Sequence, residues 1–243
     1  MNPIKSTILL IFLIGYLKDN TKIEKNKEKK KRIRKKEASK VMREEILSSD
    51  PDIRLIHNFL EVGEAEHLID TLHRRLISSK IDEGEGEINT SIRNSTSGVI
   101  GKRDDIIIAN IEDRIAKYLN STVDHMEFLQ LLNYKKGQFY NYHFDWFTDY
   151  NYTINEDRRN QRKHTMILYL NTIPKQYGGG TSFKYLNITV NPIKNNALYF
   201  HNLHQNGTGH NMTLHAGDEL LSDEVQKWVI NSWTRENPRI LEK

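Results

Sequence analysis

The chain contains no cysteine, which excludes disulfide scaffolds, thiolate zinc sites, iron–sulfur clusters and cysteine nucleophiles. Proline is scarce, five in 243 residues, and glycine numbers 13, so the chain is neither collagen-like nor a Pro/Gly low-complexity polymer. Any metal must therefore be held by histidine and carboxylates. A basic body is also missing, despite a formal charge of +4 and a pI near 9.0. Residues 1–45 carry 14 Lys/Arg against six Asp/Glu, which leaves 22 basic and 26 acidic side chains for residues 46–243. The positive charge belongs to a tail, and a nucleic-acid-binding body is disfavoured. What is present is enough length to bury a core, as one large domain with an appendage.

A long hydrophobic run is lacking too. Ser6 to Leu17 is apolar and uncharged, but twelve residues at about 1.5 Å each fall short of the roughly 20 that cross a bilayer. Tyr16-Leu17-Lys18-Asp19 follows instead of a small-x-small cleavage site, so an uncleaved signal anchor is expected. A cleaved signal or a leader that never inserts are the alternatives. Lys22 to Lys40, almost wholly Lys, Arg, Glu and Asn, cannot bury enough surface to fold. It reads as a solvated linker able to hold an anionic membrane. The expectation is membrane association in the secretory pathway or ER. Basic residues after the apolar run favour a cytoplasmic body, and orientation stays open. Residues 1–48 are assigned to anchor and linker, residues 49–243 to a folded domain.

Within that domain Ile53–Ile56 reads as a strand, Ala65–Ile77 as an amphipathic helix, and Asp104–Leu119 as a second helix with Ile108, Ile111, Ile115 and Leu119 on one stripe. Strand patterns follow at Phe128–Tyr134, Phe139–Asp145, Thr165–Leu170, Thr181–Phe183, Ile188–Val190, Ala197–Phe200, Met212–His215 and Trp228–Trp233. Lys136-Gly137, Gly178-Gly179-Gly180 and Asn206-Gly207 supply turns. A mainly β fold with supporting helices, a β-sandwich or jelly roll, is expected.

The chemistry concentrates at His143-Phe144-Asp145. Residues i and i+2 of a strand share a face, so His143 and Asp145 can bind one metal side by side. A further histidine would complete the two-His-one-carboxylate face that leaves positions open for Fe(II) and O2. His125-Met126-Glu127 has the same spacing but sits in a polar turn, whereas His143 lies in an aromatic, strand-forming segment. For the third ligand the sequence offers His164, His201, His204, His210 and His215. Lys227 stands in an apolar strand, Lys-Trp-Val-Ile-Asn-Ser-Trp, where burial is costly unless an anion meets it. A carboxylate cosubstrate is one such partner, and an exposed strand start is the other reading.

From about Asp52 to Trp233 the chain resembles the 2-oxoglutarate- and Fe(II)-dependent prolyl 4-hydroxylases of animals, plants, algae and large DNA viruses. The matching motifs are Ile56-His-Asn-Phe-Leu, Arg93-Asn-Ser-Thr-Ser-Gly98, Leu131 to Asp145, Thr165-Met-Ile-Leu-Tyr-Leu-Asn171, Gly178-Gly179 with Thr181 and Phe183, Leu214-His-Ala-Gly217, and Lys227-Trp228 to Trp233. The resemblance implies a double-stranded β-helix with iron on His143, Asp145 and His215. It implies that Lys227 pairs with the distal carboxylate of 2-oxoglutarate, helped by Tyr134 and Thr165, and that Arg93, Tyr140 and Trp233 face the peptide or line the site. It also implies hydroxylation of peptidyl proline in a Pro-rich or Xaa-Pro-Gly chain, with release of succinate and CO2, and rescue of oxidised iron by ascorbate. Action on another protein residue, or a catalytically silent jelly-roll binding module, are the alternatives.

Three departures stand out: Asp218-Glu219 where the family carries Cys-Pro, a longer His215–Lys227 interval, and Gly180 in place of an acid. Phe147 to Lys163, polar between core strands, is expected to be a lid. Twenty-three asparagines, with many Lys and Ile, suit an AT-rich genome such as that of a giant virus.

Overall fold

The computed structural model describes residues 41–78, 95–148 and 160–239. The apolar run, Lys22–Lys40, Arg93 and most of the expected lid lie outside them. The strands are β1 (Arg43–Ser49), β2 (Asp52–His57), β3 (Thr96–Ile100), β4 (Leu129–Tyr134), β5 (Tyr140–His143), β6 (Arg162–Tyr169), β7 (Thr181–Phe183), β8 (Ile188–Val190), β9 (Ala197–His201), β10 (His215–Gly217) and β11 (Lys227–Arg235). Helix α1 spans Glu64–Ser78 and α2 spans Ile106–Tyr118. The strands form two sheets, a major one in the order β1-β2-β9-β6-β11-β4-β3 and a minor one in the order β5-β10-β7-β8. The ladders are antiparallel throughout.

Strand periodicity sorts the side chains of the major sheet into two cores. Met166, Leu168, Ile230, Leu131 and Tyr199 face α1 and α2, where Leu68, Ile108, Ile111 and Ile115 cover them. Their neighbours Ile167, Tyr169, Val229, Leu132, Leu198 and Phe200 face the other way and meet Phe183 and Val190 of the minor sheet. The helices thus back a two-sheet jelly roll, and the space between the sheets is where β11 aims Lys227, Val229 and Asn231. Helix α2 starts where Asp105 accepts from the amides of Ile107 and Ile108. The same carboxylate takes His67 of α1 at 2.6 Å, which ties the two helices together.

Three elements depart from expectation. Strand β1 begins at Arg43, inside the stretch assigned to the linker. It is an edge strand with a largely exposed face, so its polar sequence carries no alternation, and pairing with β2 defines it. Strand β3 likewise occupies the opposite edge. Met212–His215 is not a strand: Asn211–Thr213 forms a 3-10 turn and His215 begins β10. The Thr213 hydroxyl donates to the His210 carbonyl at 2.6 Å and the Met212 amide donates to His210 Nδ1, local bonds that compete with a ladder.

Candidate metal centre and cosubstrate pocket

His143 ends β5 and His215 opens β10, and the two are direct register partners. Each ring is oriented by a carbonyl two residues back: His143 Nδ1 meets Asn141 O at 2.7 Å and His215 Nδ1 meets Thr213 O at 2.9 Å. A carbonyl only accepts, so each Nδ1 carries the proton and each Nε2 is the nitrogen with the lone pair. Asp145, in the bend just beyond β5, sets Oδ1 3.7 Å from His143 Nε2 and Oδ2 3.6 Å from His215 Nε2. These separations are too long for hydrogen bonds and leave room for a cation among the three donors, which lie within 4.8 Å of one another. Among the described residues this is the group able to hold a metal ion. Its donors, two imidazoles and a carboxylate, suit non-haem Fe(II).

Asp145 is buried, and burial alone would push its carboxyl up; the facing His215 and His143, with Arg162 and the Thr165 hydroxyl, hold it below the ordinary range instead. Thr165 donates to Asp145 Oδ2 at 2.7 Å and accepts from Asn202 Nδ2 at 2.8 Å. Among the residues that line the pocket with Lys227, there is no counterpart to the cosubstrate role expected for Thr165. Its side chain is spent on the carboxylate ligand, because on β6 it lies two residues short of Ile167, the strand's contribution to the pocket.

The pocket itself is a small cleft beside the triad, between the sheets. Tyr140 forms one wall, stacked on the His143 ring with centroids 3.6 Å apart. Lys227 forms the far end and is only 2% exposed, which removes the solvated reading. Its register partner is Tyr134, whose ring centroid lies 4.9 Å from Nζ. Nζ donates to the Gly180 carbonyl at 3.1 Å. Burial pushes the ammonium down to about 8, against an upward pull from Asp218. Thr181 lines the same pocket and accepts from the Tyr169 hydroxyl at 3.0 Å. Sequence reasoning did not single it out, although it follows the triple-glycine turn in a matched motif.

The remaining candidates fall elsewhere. Trp233 shares the inner face of β11 but lies beneath the Arg162 guanidinium, 3.8 Å from its ring centroid, not around the pocket. Glu127, half of the competing His-x-acid pair, is claimed by Arg162 and Arg235, while His125 turns to Thr122. Arg235, bonded also to the Asn160 carbonyl, is thereby committed. His201 bonds Leu203 O, His204 stacks on His210, and His164 contacts Tyr199; none joins the triad. Two departures from the family pattern meet in space: the Asp218 carboxylate sits over Gly180.

A jelly roll with a two-His-one-carboxylate face and a buried lysine defines an oxygenase of the iron- and 2-oxoglutarate-dependent class. Residues 129–235 match the 2OG-Fe(II) oxygenase superfamily. The chain is 31% identical to prolyl 4-hydroxylase 2 of Arabidopsis thaliana, over 77% of its own length and 68% of that protein. It belongs to the prolyl 4-hydroxylase family. It is also 32% identical to prolyl 4-hydroxylase subunit alpha-3 of Homo sapiens over 80% of its length, yet spans only 36% of that subunit. In fold it is similar to the viral collagen prolyl hydroxylase of Paramecium bursaria Chlorella virus-1 (TM-score 0.60, 24% identity, covering 75% of this chain and 95% of that one).

Proposed function

We propose that the protein hydroxylates peptidyl proline at C4, consuming O2 and 2-oxoglutarate and releasing succinate and CO2, with ascorbate restoring oxidised iron. Iron bound by His143, Asp145 and His215 supplies the oxidising chemistry. The observation that carries the reading is the buried Lys227 ammonium on the same cleft as the triad. An ammonium has three protons, and the Gly180 carbonyl takes one, so a dicarboxylate entering the cleft can meet the rest. Tyr134 and Thr181 line the same cleft. The Nδ1–carbonyl contacts hold both imidazoles in the metal-binding tautomer, and the Thr165 hydroxyl steadies Asp145. Tyr140, packed flat on His143, shields one side from water.

Incubation with Fe(II), 2-oxoglutarate, ascorbate and Pro-rich or Xaa-Pro-Gly peptides tests the reading. Mass spectrometry must find one added oxygen on proline, in step with succinate. Succinate coupled to oxidation of a different residue, or none at all, overturns it. The apolar Ser6–Leu17 run and the basic stretch after it support membrane association, in a secretory compartment, tested by flotation with anionic vesicles. The Asn-rich composition supports a viral source.

A further inference from the structure

A half-exposed acid, Asp218, shares a backbone partner with the buried lysine. Asp218 follows β10, and its own amide donates to the Gly180 carbonyl at 3.0 Å. That oxygen is the one that takes Lys227 Nζ at 3.1 Å. The Asp218 side chain is fixed twice over. Oδ1 accepts from the Ser182 hydroxyl at 2.5 Å. Oδ2 fills the space beside Gly180, where a β-carbon would lie 2.8 Å from it and 2.8 Å from Thr189 Cγ2. Only a residue without a side chain lets the carboxylate approach the wall this closely.

We propose that Asp218 is a positioning residue for Lys227: seated over Gly180 and clamped by Ser182, it fixes the carbonyl that anchors the ammonium and supplies a negative charge behind it. The proposal rests on the cosubstrate reading of the pocket. A buried ammonium with no counter-charge tends to shed its proton, and a nearby carboxylate opposes that loss. Burial lowers Lys227 and Asp218 raises it, in line with the geometry. The other titratable groups lining the pocket are Tyr134 of β4, Tyr140 and His143 of β5, and His215 of β10. Asp218 is the acid that acts on the lysine from outside the wall. The device keeps the lysine charged and aimed before an anion arrives, while the carboxylate, on the far side of Gly180, does not occupy the cosubstrate's place.

The test measures 2-oxoglutarate binding by calorimetry on anoxic, Mn(II)-loaded protein, at pH 6.5 and pH 8.5. Asp218→Asn, of the same shape, should bind about tenfold more weakly than wild type at pH 8.5, one unit of lysine pKa. At pH 6.5 the loss should be less than about threefold, since the lysine is then charged in both proteins. Mn(II) affinity should not change; the melting temperature of the metal-free protein should hold at pH 8.5, where the lysine is largely neutral, and fall at pH 6.5, where the buried charge has lost its counter-charge. Gly180→Ala should lower both melting temperature and affinity, because its β-carbon displaces the carboxylate. Adding Asp218→Ala should recover part of the melting temperature, the contact with Thr189 remaining, but leave affinity at the level of Asp218→Ala alone. An Asp218→Asn protein that binds like wild type at both pH values overturns the proposal, and so does a loss equal at both. A wild-type protein that binds no 2-oxoglutarate overturns the cosubstrate reading and the proposal with it.

Discussion

His143 and His215 are directly paired across the β5–β10 ladder, and each ring is held by a carbonyl two residues earlier in the chain. Because the ring orientation is set by backbone, the two imidazoles are arranged before any metal arrives. His143→Ala or His215→Ala should therefore abolish iron retention and succinate release while leaving the fold intact. Asp145→Glu should also lose most activity, since an added methylene carries the carboxylate off the shared face. Iron content by elemental analysis, beside circular dichroism, checks all three. Near-normal succinate from either alanine variant would reject the ligand assignment.

Thr165 offers a separation of roles. Its hydroxyl bonds Asp145 and Asn202 rather than the lysine. Thr165→Val should weaken iron binding about 10- to 100-fold, as loss of a ligand's supporting hydrogen bond does. The affinity of Mn(II)-saturated protein for 2-oxoglutarate should stay within about threefold of wild type. A larger fall in that affinity would return Thr165 to the cosubstrate.

Lys227 is a stability cost that function requires. Its pKa falls from 10.5 to about 8 on burial, so the unfolded chain binds more protons between those values and stability from this group rises with pH across that window. Below about pH 8 the buried charge costs on the order of 3 kcal/mol relative to an unperturbed lysine. Lys227→Met should therefore raise the urea midpoint of the cofactor-free protein at pH 7, and flatten its rise from pH 8 to 10. The same variant should lose 2-oxoglutarate affinity by roughly 30-fold or more. Unchanged cosubstrate affinity would move the binding cation elsewhere.

Glu127 holds two guanidiniums, half-buried Arg162 and buried Arg235, and lies below the ordinary carboxylate range: burial opposes this, but the Arg162 contact outweighs it, with Arg235 assisting. Glu127→Gln leaves both cations short of a counter-charge and should cost about 3 kcal/mol or more in urea unfolding. Glu127 bonds the two arginines and Thr165 bonds Asp145, so metal affinity should change little. A fall in stability below about 0.5 kcal/mol would show that the arginines find water or other partners.

The sequence by itself determined what depends on near neighbours. The absence of cysteine confined metal binding to His and carboxylate, and the pleat of a strand placed His143 and Asp145 together whatever the rest of the chain did. Strands β6 and β9 were readable as short apolar runs because both of their faces meet apolar layers. The third ligand was not local, and five histidines were open until the match to known motifs favoured His215. Only tertiary structure set that ring against His143, through cross-strand register. It likewise decided that Thr165 bonds Asp145 while Thr181 lines the pocket that holds Lys227, since the two threonines look alike in sequence and differ in which stretch of the cleft their strands reach. The contact of Asp218 with Gly180 was visible only as two unrelated departures from a pattern. Edge strands β1 and β3 escaped for the same reason: their partners, not their own residues, make them strands. Pairing between distant segments is chosen by the whole packed chain, and a linear pattern carries no record of it.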